Sequence, residues 1–530
     1  MKKCSGKDVI MRKKNIAAGA LILTGAGIIT RLLGFVYRIY MSNIIGAEGM
    51  GLYQLIMPLY MLAWSISCSG FNTTISKLIA EERAKGEYGN MGRILKQSVV
   101  ITSFLGVFLS LTLYFSADYI AGYLFKDMRT AMSLRILSIA FPFMAAGTCV
   151  RGYFLGLQET LAPAVNQVLE QCVRMITIYI LAGYFIPRGL EYACAVAVIG
   201  VVCEEIISFL YIFLSYRRFK SINRLTKRPS LTPSASISLI LGMALPLTAN
   251  RVSGSLLSTL ENILIPQRLQ VYGMNTSEAM SVFGQMSGMA MPLIYFPTAL
   301  LTSLSITLVP AVSEAVALKR ISNVRRIISK SVLLACVTGL GAASLFLAFP
   351  DELGRVIYHQ PIGGMLFVLG PMCPFLYLQI IFSGILNGLG KQVFIFKVSL
   401  LTSAINIMFI YFLVPQRGIG AFMLGLFVSL AAACVLEIHK IRESVQIDLD
   451  FINSIGKPIL AAAASGLSVK WLNKAYITPL LGQKFGLSLS VASLAFLFCS
   501  IVVLCGVIDV NDLTRFFKRN EKPGGSRSAA

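Results

Sequence analysis

The chain has 530 residues, of which 56% are hydrophobic and only 13% are charged, and its mean hydropathy is +0.74. Average soluble domains carry about 25% charged residues, so this composition excludes an ordinary water-soluble enzyme. The net charge is +23, from 47 Lys and Arg against 24 Asp and Glu. In a chain this apolar, the excess indicates basic loops beside anionic lipid headgroups and no nucleic-acid partner.

Apolar runs of about 20 residues, long enough to cross a bilayer, recur along the sequence. Fourteen spans are predicted near 15–44, 51–76, 97–117, 132–157, 161–186, 190–216, 235–265, 277–310, 327–349, 363–389, 393–414, 419–438, 454–472 and 485–508. The first run is too long for a cleavable signal peptide, so it is expected to remain as an anchor. The sequence therefore predicts an all-α membrane protein with about 14 transmembrane helices.

Lys and Arg are divided unevenly between the two sets of loops. With fourteen spans, the termini and alternate loops hold 32 of these residues, the opposite loops hold 9, and 6 lie inside spans. Cytoplasmic loops retain positive residues. Both termini are therefore predicted to lie in the cytoplasm, and most of the net charge is a topology signal.

Self-comparison of the sequence shows an internal duplication. Residues 142–157 and 374–389 share Pro-Phe, a Gly ten residues after the Pro, and a final Gly-Leu, at an offset of 232. Residues 57–59 match residues 291–293, and Arg31-x-x-Gly34 matches Arg251-x-x-Gly254 more weakly. Because each half has six helices, the two copies should run parallel.

This duplication predicts two six-helix lobes with additions at the end of the chain. The predicted boundaries are an N-terminal lobe at 1–230, a C-terminal lobe at 231–445, an extra helix pair at 446–510 and a basic cytoplasmic tail at 511–530. Parallel repeats are typical of secondary transporters whose substrate site lies between the halves. A duplicated scaffold without transport is the alternative. The extra pair is almost wholly apolar, which suits lipid contact and a groove for an acyl or prenyl tail, although a structural role fits equally.

Six arginines fall inside predicted spans: Arg31, Arg38, Arg135, Arg151, Arg174 and Arg251. A charge at the bilayer centre costs about 2.5–3.5 kcal/mol, so such residues face a partner or a wet cavity. Arg31 and Arg38 share one stripe of the first helix, and Arg251 and Asn262 share a face in the second half. Guanidinium groups bind phosphate in a bidentate manner. We therefore predict that Arg31, Arg38, Arg251 and Asn262 bind an anionic substrate, with ion pairs to buried Glu as the alternative for the arginines.

The acidic residues inside spans are the second group of candidates. Glu170 and Arg174 lie four residues apart and are predicted to neutralise each other, with a ligand or ion-coupling role as the alternative. One of Glu204, Glu205 and Glu261 is predicted to bind a coupling H⁺ or Na⁺, or else to pair with Arg31 or Arg251. Arg135 and Arg151 lie close to predicted helix ends, where long side chains reach the interface. Six arginines against four glutamates favour an anionic cargo.

The catalytic motifs of several enzyme classes are absent from the sequence. It has no G-x-x-x-x-G-K-[ST] phosphate loop and no H-E-x-x-H motif, and its two histidines fall in predicted loops. We therefore expect no enzyme activity of its own and no cofactor apart from a coupling ion.

Several runs resemble one known superfamily. They are TRLLGFVYR at 30–38, IGAEGMGLY at 45–53, RGYF at 151–154 and QVLEQCVR at 167–174. These runs are similar to the polysaccharide-transport branch of the multidrug/oligosaccharidyl-lipid/polysaccharide exporter superfamily. The resemblance implies a two-lobed fold like that of MATE transporters and murein flippases, in the plasma membrane of a bacterium.

The same resemblance implies the activity. Such proteins move an undecaprenyl-diphosphate-linked sugar outward by alternating access, here a peptidoglycan precursor for the spore cortex, with membrane lipids around them. Related murein flippases hold the pyrophosphate with central arginines, and Arg31 matches that cluster by motif. The alternatives are a cation-coupled multidrug exporter and a non-transporting scaffold that recruits cell-wall synthesis enzymes.

Overall fold

The computed structural model describes residues 6–223, 229–445 and 452–507, and every regular element in these ranges is helical. The predicted basic tail at 511–530 lies outside the described residues. The α-helices are α1 (Gly6–Trp64), α2 (Gly70–Lys85), α3 (Tyr88–Tyr119), α4 (Ala131–Ser138), α5 (Ala140–Gly156), α6 (Leu161–Phe185), α7 (Leu190–Asn223), α8 (Pro233–Val271), α9 (Thr276–Phe283), α10 (Met291–Tyr295), α11 (Thr298–Ala317), α12 (Ile321–Ala348), α13 (Pro350–Leu353), α14 (Gly363–Leu369), α15 (Cys373–Gly388), α16 (Gln392–Met408), α17 (Val414–Arg417), α18 (Ile419–Val445), α19 (Lys457–Leu472) and α20 (Thr478–Leu504).

The described residues contain 11 helices long and apolar enough to cross a membrane, or up to 12 when the bent pair Met128–Ser138 and Ala140–Gly156 is one span. The predicted all-α membrane fold is confirmed, whereas the count of fourteen spans is not. Two of the candidates, Leu21–Lys85 and Lys457–Leu504, contain 65 and 48 residues. Both are far longer than a single crossing requires.

Each of these two long helices is broken at a glycine. Gly46 has φ 71° and ψ −176°, and Gly482 has φ 72° and ψ 174°. Glycine adopts such a backbone at little cost because it lacks a Cβ. The breaks separate the predicted spans 15–44 from 51–76 and 454–472 from 485–508. The predicted span 277–310 is instead interrupted at Phe296 and Pro297, between α10 and α11.

The chain folds into two compact units. Unit 1 comprises Met1–Met289 and Asn406–Phe422, and unit 2 comprises Ala290–Ile405 and Met423–Ala530. Helices α8 and α9, which the sequence assigned to the C-terminal lobe, belong to unit 1, and α19 and α20 belong to unit 2. The lobe boundaries at 230 and 445 remain predictions.

Within unit 1, α5 packs against α2 through glycines that let the two backbones approach. A Cβ on Gly152 would lie 2.9 Å from the carbonyl oxygen of Asn72, and a Cβ on Gly156 would lie 2.5 Å from that of Ser76. A Cβ on Gly106 of α3 would lie 3.0 Å from the Cα of Pro142 in α5. Small residues permit this close packing in lipid, where apolar burial between helices supplies little driving force.

Within unit 2, α15 makes the same contacts with α11 and α12. A Cβ on Gly384 would lie 2.8 Å from the carbonyl oxygen of Ser305, and a Cβ on Gly388 would lie 3.0 Å from that of Val309. A Cβ on Gly339 would lie 2.6 Å from the Cα of Pro374. Each residue in these contacts lies 232 or 233 residues after the residue that makes the corresponding contact in unit 1. The predicted duplication is therefore present as repeated helix crossings, and the parallel orientation of the two copies stays a prediction.

The α1–α9 crossing in unit 1 joins equivalent positions of the two repeats. A Cβ on Gly51 would overlap the carbonyl oxygen of Met280, and a Cβ on Gly284 would overlap the carbonyl oxygen of Ala47. Both the glycine pair and the carbonyl pair are separated by 233 residues. The contact is therefore reciprocal, as in a two-fold interface.

The predicted C-terminal helix pair packs on α12 within unit 2. Ala461 of α19 and Phe498 and Val502 of α20 form a buried cluster with Val337 of α12. The outer faces remain apolar and exposed, with Leu480 80%, Phe485 77%, Phe496 76% and Leu504 84% accessible. These faces suit lipid contact, and the groove for a lipid tail remains a prediction.

Replacing Gly51 or Gly284 by Ala should destabilise the protein. Each new methyl group overlaps a backbone carbonyl, and overpacking typically costs about 1–3 kcal/mol. Gly183→Ala in α6 is the matched control, because a Cβ there meets nothing within 4 Å. The measurement is the thermal unfolding midpoint of the detergent-solubilised protein. The crossing matters less than we infer if Gly51→Ala unfolds at the same temperature as Gly183→Ala.

Candidate functional site

A network of ionisable side chains joins α5, α6 and α7 inside unit 1. Nε and Nη2 of Arg174 in α6 donate to the two carboxylate oxygens of Glu204 in α7. Arg151 of α5 donates to Glu170 of α6 at 2.5 Å. The predicted pair between Glu170 and Arg174 is therefore wrong. Glu170 and Arg174 each pair with an oppositely charged residue on a neighbouring helix, and not with each other.

Neutral groups complete the surroundings of both ion pairs. Asn166 and Ser208 donate to Oε1 of Glu170 at 2.8 and 2.6 Å. The ring centroid of Tyr37 lies 5.8 Å from the Arg174 guanidinium carbon. A buried ion pair needs polar neighbours of this kind to offset the loss of water around its charges. Removing one partner of such a pair leaves the other charge uncompensated. The network therefore ties α1, α6 and α7 together at this level of unit 1.

Glu205 belongs to the network but forms no ion pair. Its Oε1 accepts a hydrogen bond from the Tyr60 hydroxyl of α1, and the residue is 5% exposed. No arginine or lysine of the described residues forms a salt bridge with it. The cluster thus has two guanidinium groups, on Arg151 and Arg174, and three carboxyl groups, on Glu170, Glu204 and Glu205. The cluster therefore has one more carboxyl group than it has guanidinium groups to neutralise them.

Part of this network escaped the sequence analysis. Arg151 was predicted to reach the membrane interface, whereas its side chain is 21% exposed and pairs with Glu170. Tyr60 and Asn166 were not singled out. The signal for Asn166 was present, because Asn166, Glu170 and Arg174 follow each other at intervals of four residues on one helix face. Arg135 was predicted near a helix end, and it is half exposed and bonded to Asp118 at 2.5 Å.

The predicted substrate arginines of α1 lie on the half of the helix before the Gly46 break. Arg31 is exposed and Arg38 is partly buried. Gly34 lies between them, and a Cβ there would be 3.8 Å from Oε1 of Gln171 in α6. Neither Glu204 nor Glu205 pairs with Arg38, and no other described carboxylate forms a salt bridge with it.

Arg251 and Asn262 both lie on α8, which packs against the part of α1 that follows the break. The hydroxyl groups of Ser65 and Ser255 share a hydrogen bond at 2.5 Å, and Thr259 donates to the carbonyl oxygen of Pro58. Arg251 is exposed and forms no salt bridge within the described ranges. Asn262 donates to the carbonyl oxygen of Ser258, one turn away, at 2.7 Å.

Glu261 lies apart from the ionic network. Its Oε2 is 3.5 Å from Nδ2 of Asn406, at the start of the 406–422 segment of unit 1. No group of three or more His, Cys, Asp and Glu suited to a metal ion occurs in the described part of the chain. The pairing of Glu204 with Arg31 or Arg251, an alternative left open by the sequence, is replaced by its bond to Arg174.

The sequence of the chain is similar to a family of known proteins. Residues 16–316 match the family described as polysaccharide biosynthesis protein. Stage V sporulation protein B of Bacillus subtilis (strain 168) is 30% identical over 447 residues, covering 83% of this chain and 86% of the relative. Lipid II flippase MurJ of the same organism is 28% identical over 329 residues, covering 56% of this chain and 57% of its own length.

A solved structure of lipid II flippase MurJ has the same fold. It matches with a TM-score of 0.65 at 13% identity, covering 94% of this chain and 99% of that one. This likeness confirms the predicted murein-flippase-like architecture, and the sequence matches confirm the predicted family resemblance. The chain is thus a multi-pass membrane protein that belongs to the polysaccharide biosynthesis protein family.

Proposed function

We propose that this protein is a flippase that moves a lipid-linked oligosaccharide or peptidoglycan precursor across the bacterial plasma membrane by alternating access. The names of two relatives, a sporulation protein and a lipid II flippase, support an undecaprenyl-diphosphate-linked sugar as cargo and spore cortex synthesis as its use. The orientation with both termini in the cytoplasm is part of the proposal. It rests on the distribution of Lys and Arg among the predicted loops.

The observation that carries the proposal is a contrast between two pairs of intramembrane arginines. Arg151 and Arg174 are bonded to Glu170 and Glu204. Arg38 and Arg251 form no salt bridge with a described carboxylate, although both lie in helices long enough to span the membrane. A permanent cation in such a helix needs an anionic or aqueous partner. A diphosphate group matches this requirement, because guanidinium forms bidentate hydrogen bonds with phosphate.

In this mechanism the arginines of α1 and α8 engage the diphosphate while the prenyl tail stays in the bilayer. Arg31, Arg38 and Arg251 supply the positive charge, and Asn262 adds an amide on the face of α8. A cationic drug would be repelled by the same residues, which disfavours the multidrug exporter. A scaffold for cell-wall synthesis enzymes would need no arginines within its spans.

Replacing Arg38 and Arg251 together by Gln should abolish most movement of lipid-linked precursor. The assay is proteoliposomes with a fluorescent undecaprenyl-diphosphate sugar, in which only the outer leaflet is open to a quencher. Arg31→Gln is expected to lower the rate as well. Losing one guanidinium–phosphate pair weakens binding by about 1.5–3 kcal/mol.

Arg135→Gln is the matched control for these variants. It removes the same charge from unit 1, but Arg135 already has Asp118 as a partner and is half exposed. Wild-type transport by the double variant, or equal loss in Arg135→Gln, would remove the arginines from the mechanism. Movement of a hydrophobic cation, with none of the lipid, would favour the drug exporter.

We also propose that Glu205 carries the coupling proton. A carboxylate held out of water is neutralised by a cation or by a proton. The ionic network has one carboxyl group more than it has arginines, and Glu205 bonds to a neutral hydroxyl. Arg151 with Glu170 and Arg174 with Glu204 then serve as structural ion pairs around it. Glu261 beside Asn406 is the second acidic position at which a coupling ion, H⁺ or Na⁺, is proposed.

The contrast between Glu205→Gln and Glu204→Gln tests this assignment. Glu205→Gln keeps a hydrogen bond to Tyr60, so the protein should fold normally but lose the response of transport to an imposed pH gradient. Glu204→Gln strands the Arg174 charge, which should cost about 3–5 kcal/mol of stability. The measurements are the transport rate with and without the gradient, and the unfolding midpoint. A gradient response that survives in Glu205→Gln contradicts the assignment.

A further inference from the structure

A groove opens at the end of unit 1 where α3 and α8 begin and α5 and α7 finish. Its volume is about 720 Å³, within the range of about 300–1,000 Å³ typical of small-molecule sites. This end of unit 1 carries the basic connections that the positive-inside rule assigns to the cytoplasm. The groove is distinct from the ionic network, which none of its lining residues joins.

The charge of the groove is entirely positive among the residues that line it. Arg93 and Lys96 lie one turn apart on α3, and Lys220 lies near the end of α7. Arg93 donates to the carbonyl oxygen of Leu231, which fixes its position at the wall. The nearby carboxylates of Glu82 and Glu87 do not line the groove, and they accept hydrogen bonds from side chains that include Asn90 and Ser230.

The first turn of α3 adds to this positive field. Tyr88, Gly89 and Gly92 line the groove, and no side chain caps the N-terminus of the helix at Glu87. The N-terminus of a helix carries a partial positive charge that favours phosphate. Two tyrosines, Tyr153 and Tyr216, line the same groove with their ring centroids 5.2 Å apart. Tyrosine is enriched where a membrane protein meets the headgroup layer.

An apolar surface continues from the groove along α3. Val100 lines the groove and is 60% exposed, and Phe104 and Phe108 follow on the same helix face at 75% and 58%. The combination of a cationic pocket with an exposed apolar stripe matches an amphiphile. A soluble phosphate ester would use the cations and leave the stripe uncovered.

We propose that this groove binds the phosphate headgroup of an anionic phospholipid of the surrounding leaflet. Arg93, Lys96 and Lys220 surround the phosphate, and the acyl chains lie along Val100, Phe104 and Phe108. The lipid is a bound ligand and not the transported cargo, so the site stands whether or not the proposed flippase activity holds.

Native mass spectrometry of the full-length protein with added phosphatidylglycerol tests the proposal. Lys96→Gln combined with Lys220→Gln should weaken binding of the tightest lipid roughly tenfold, because each cation near the headgroup layer adds to the attraction. Arg218→Gln is the matched control, since Arg218 is an exposed cation on α7 outside the groove. It should bind the lipid as the wild type does.

A second variant separates the shape of the groove from its charge. A Cβ on Gly92 meets nothing within 4 Å, so Gly92→Leu fills the groove without a clash at the backbone. The Gly92→Leu variant should no longer bind the lipid, although every cation of the groove is still present. The proposal is overturned if Arg218→Gln weakens binding as much as the double variant, if phosphatidylcholine binds as tightly as phosphatidylglycerol, or if Gly92→Leu binds normally. Displacement of the lipid by glycerol 3-phosphate at equal concentration would assign the groove to a soluble phosphate ester instead.

Discussion

Direct contact between helix backbones is the constraint on which the arrangement of both units depends. In lipid, two apolar helices gain little by burying side chains against each other, so close packing and polar bonds must hold them. Gly51 and Gly284 bring α1 and α9 together so closely that neither tolerates a methyl group. The same rule places α5 on α2 in unit 1 and α15 on α11 in unit 2. Because these contacts recur 232 or 233 residues apart, duplication of the sequence has duplicated the crossings as well.

A glycine also lies at the ionic network inside unit 1. A Cβ on Gly200 of α7 would lie 3.4 Å from the Cγ of Arg174 in α6, so the backbone of α7 lies close to the arginine that bonds to Glu204. A buried ion pair contributes little net stability compared with apolar packing, but breaking it is costly. The network therefore fixes which faces of α5, α6 and α7 meet. The excess carboxyl group, on Glu205, belongs to neither ion pair and is not needed for the packing of these helices.

The sequence predicted the fold well because periodic signals determine it. Apolar runs predicted the all-α membrane fold, though not a confirmed number of spans, and the Pro-Phe and Gly-Leu repeat identified the duplication that recurs in the contacts of Gly152 and Gly384. The ionic network was harder to predict. Spacing along one helix favoured Glu170 with Arg174, whereas the bonds run between helices and depend on rotation about each helix axis. The break at Pro297 was missed because the apolar run continues on both sides of it, although a proline inside a helical pattern marks a boundary or kink.

The division of charges also limits how the proposed flippase could alternate between states. A ligand shifts a two-state equilibrium only if it binds the two states differently. Arginine is permanently charged, so Arg38 and Arg251 can hold a phosphate but cannot by themselves change their charge between states. A carboxyl group can, because it gains or loses a proton as its surroundings change. In the proposed flippase, the excess acid at Glu205, bonded to Tyr60 in the part of α1 that follows the Gly46 break, would therefore be the group at which a proton acts, while Arg38 before the break would hold the cargo.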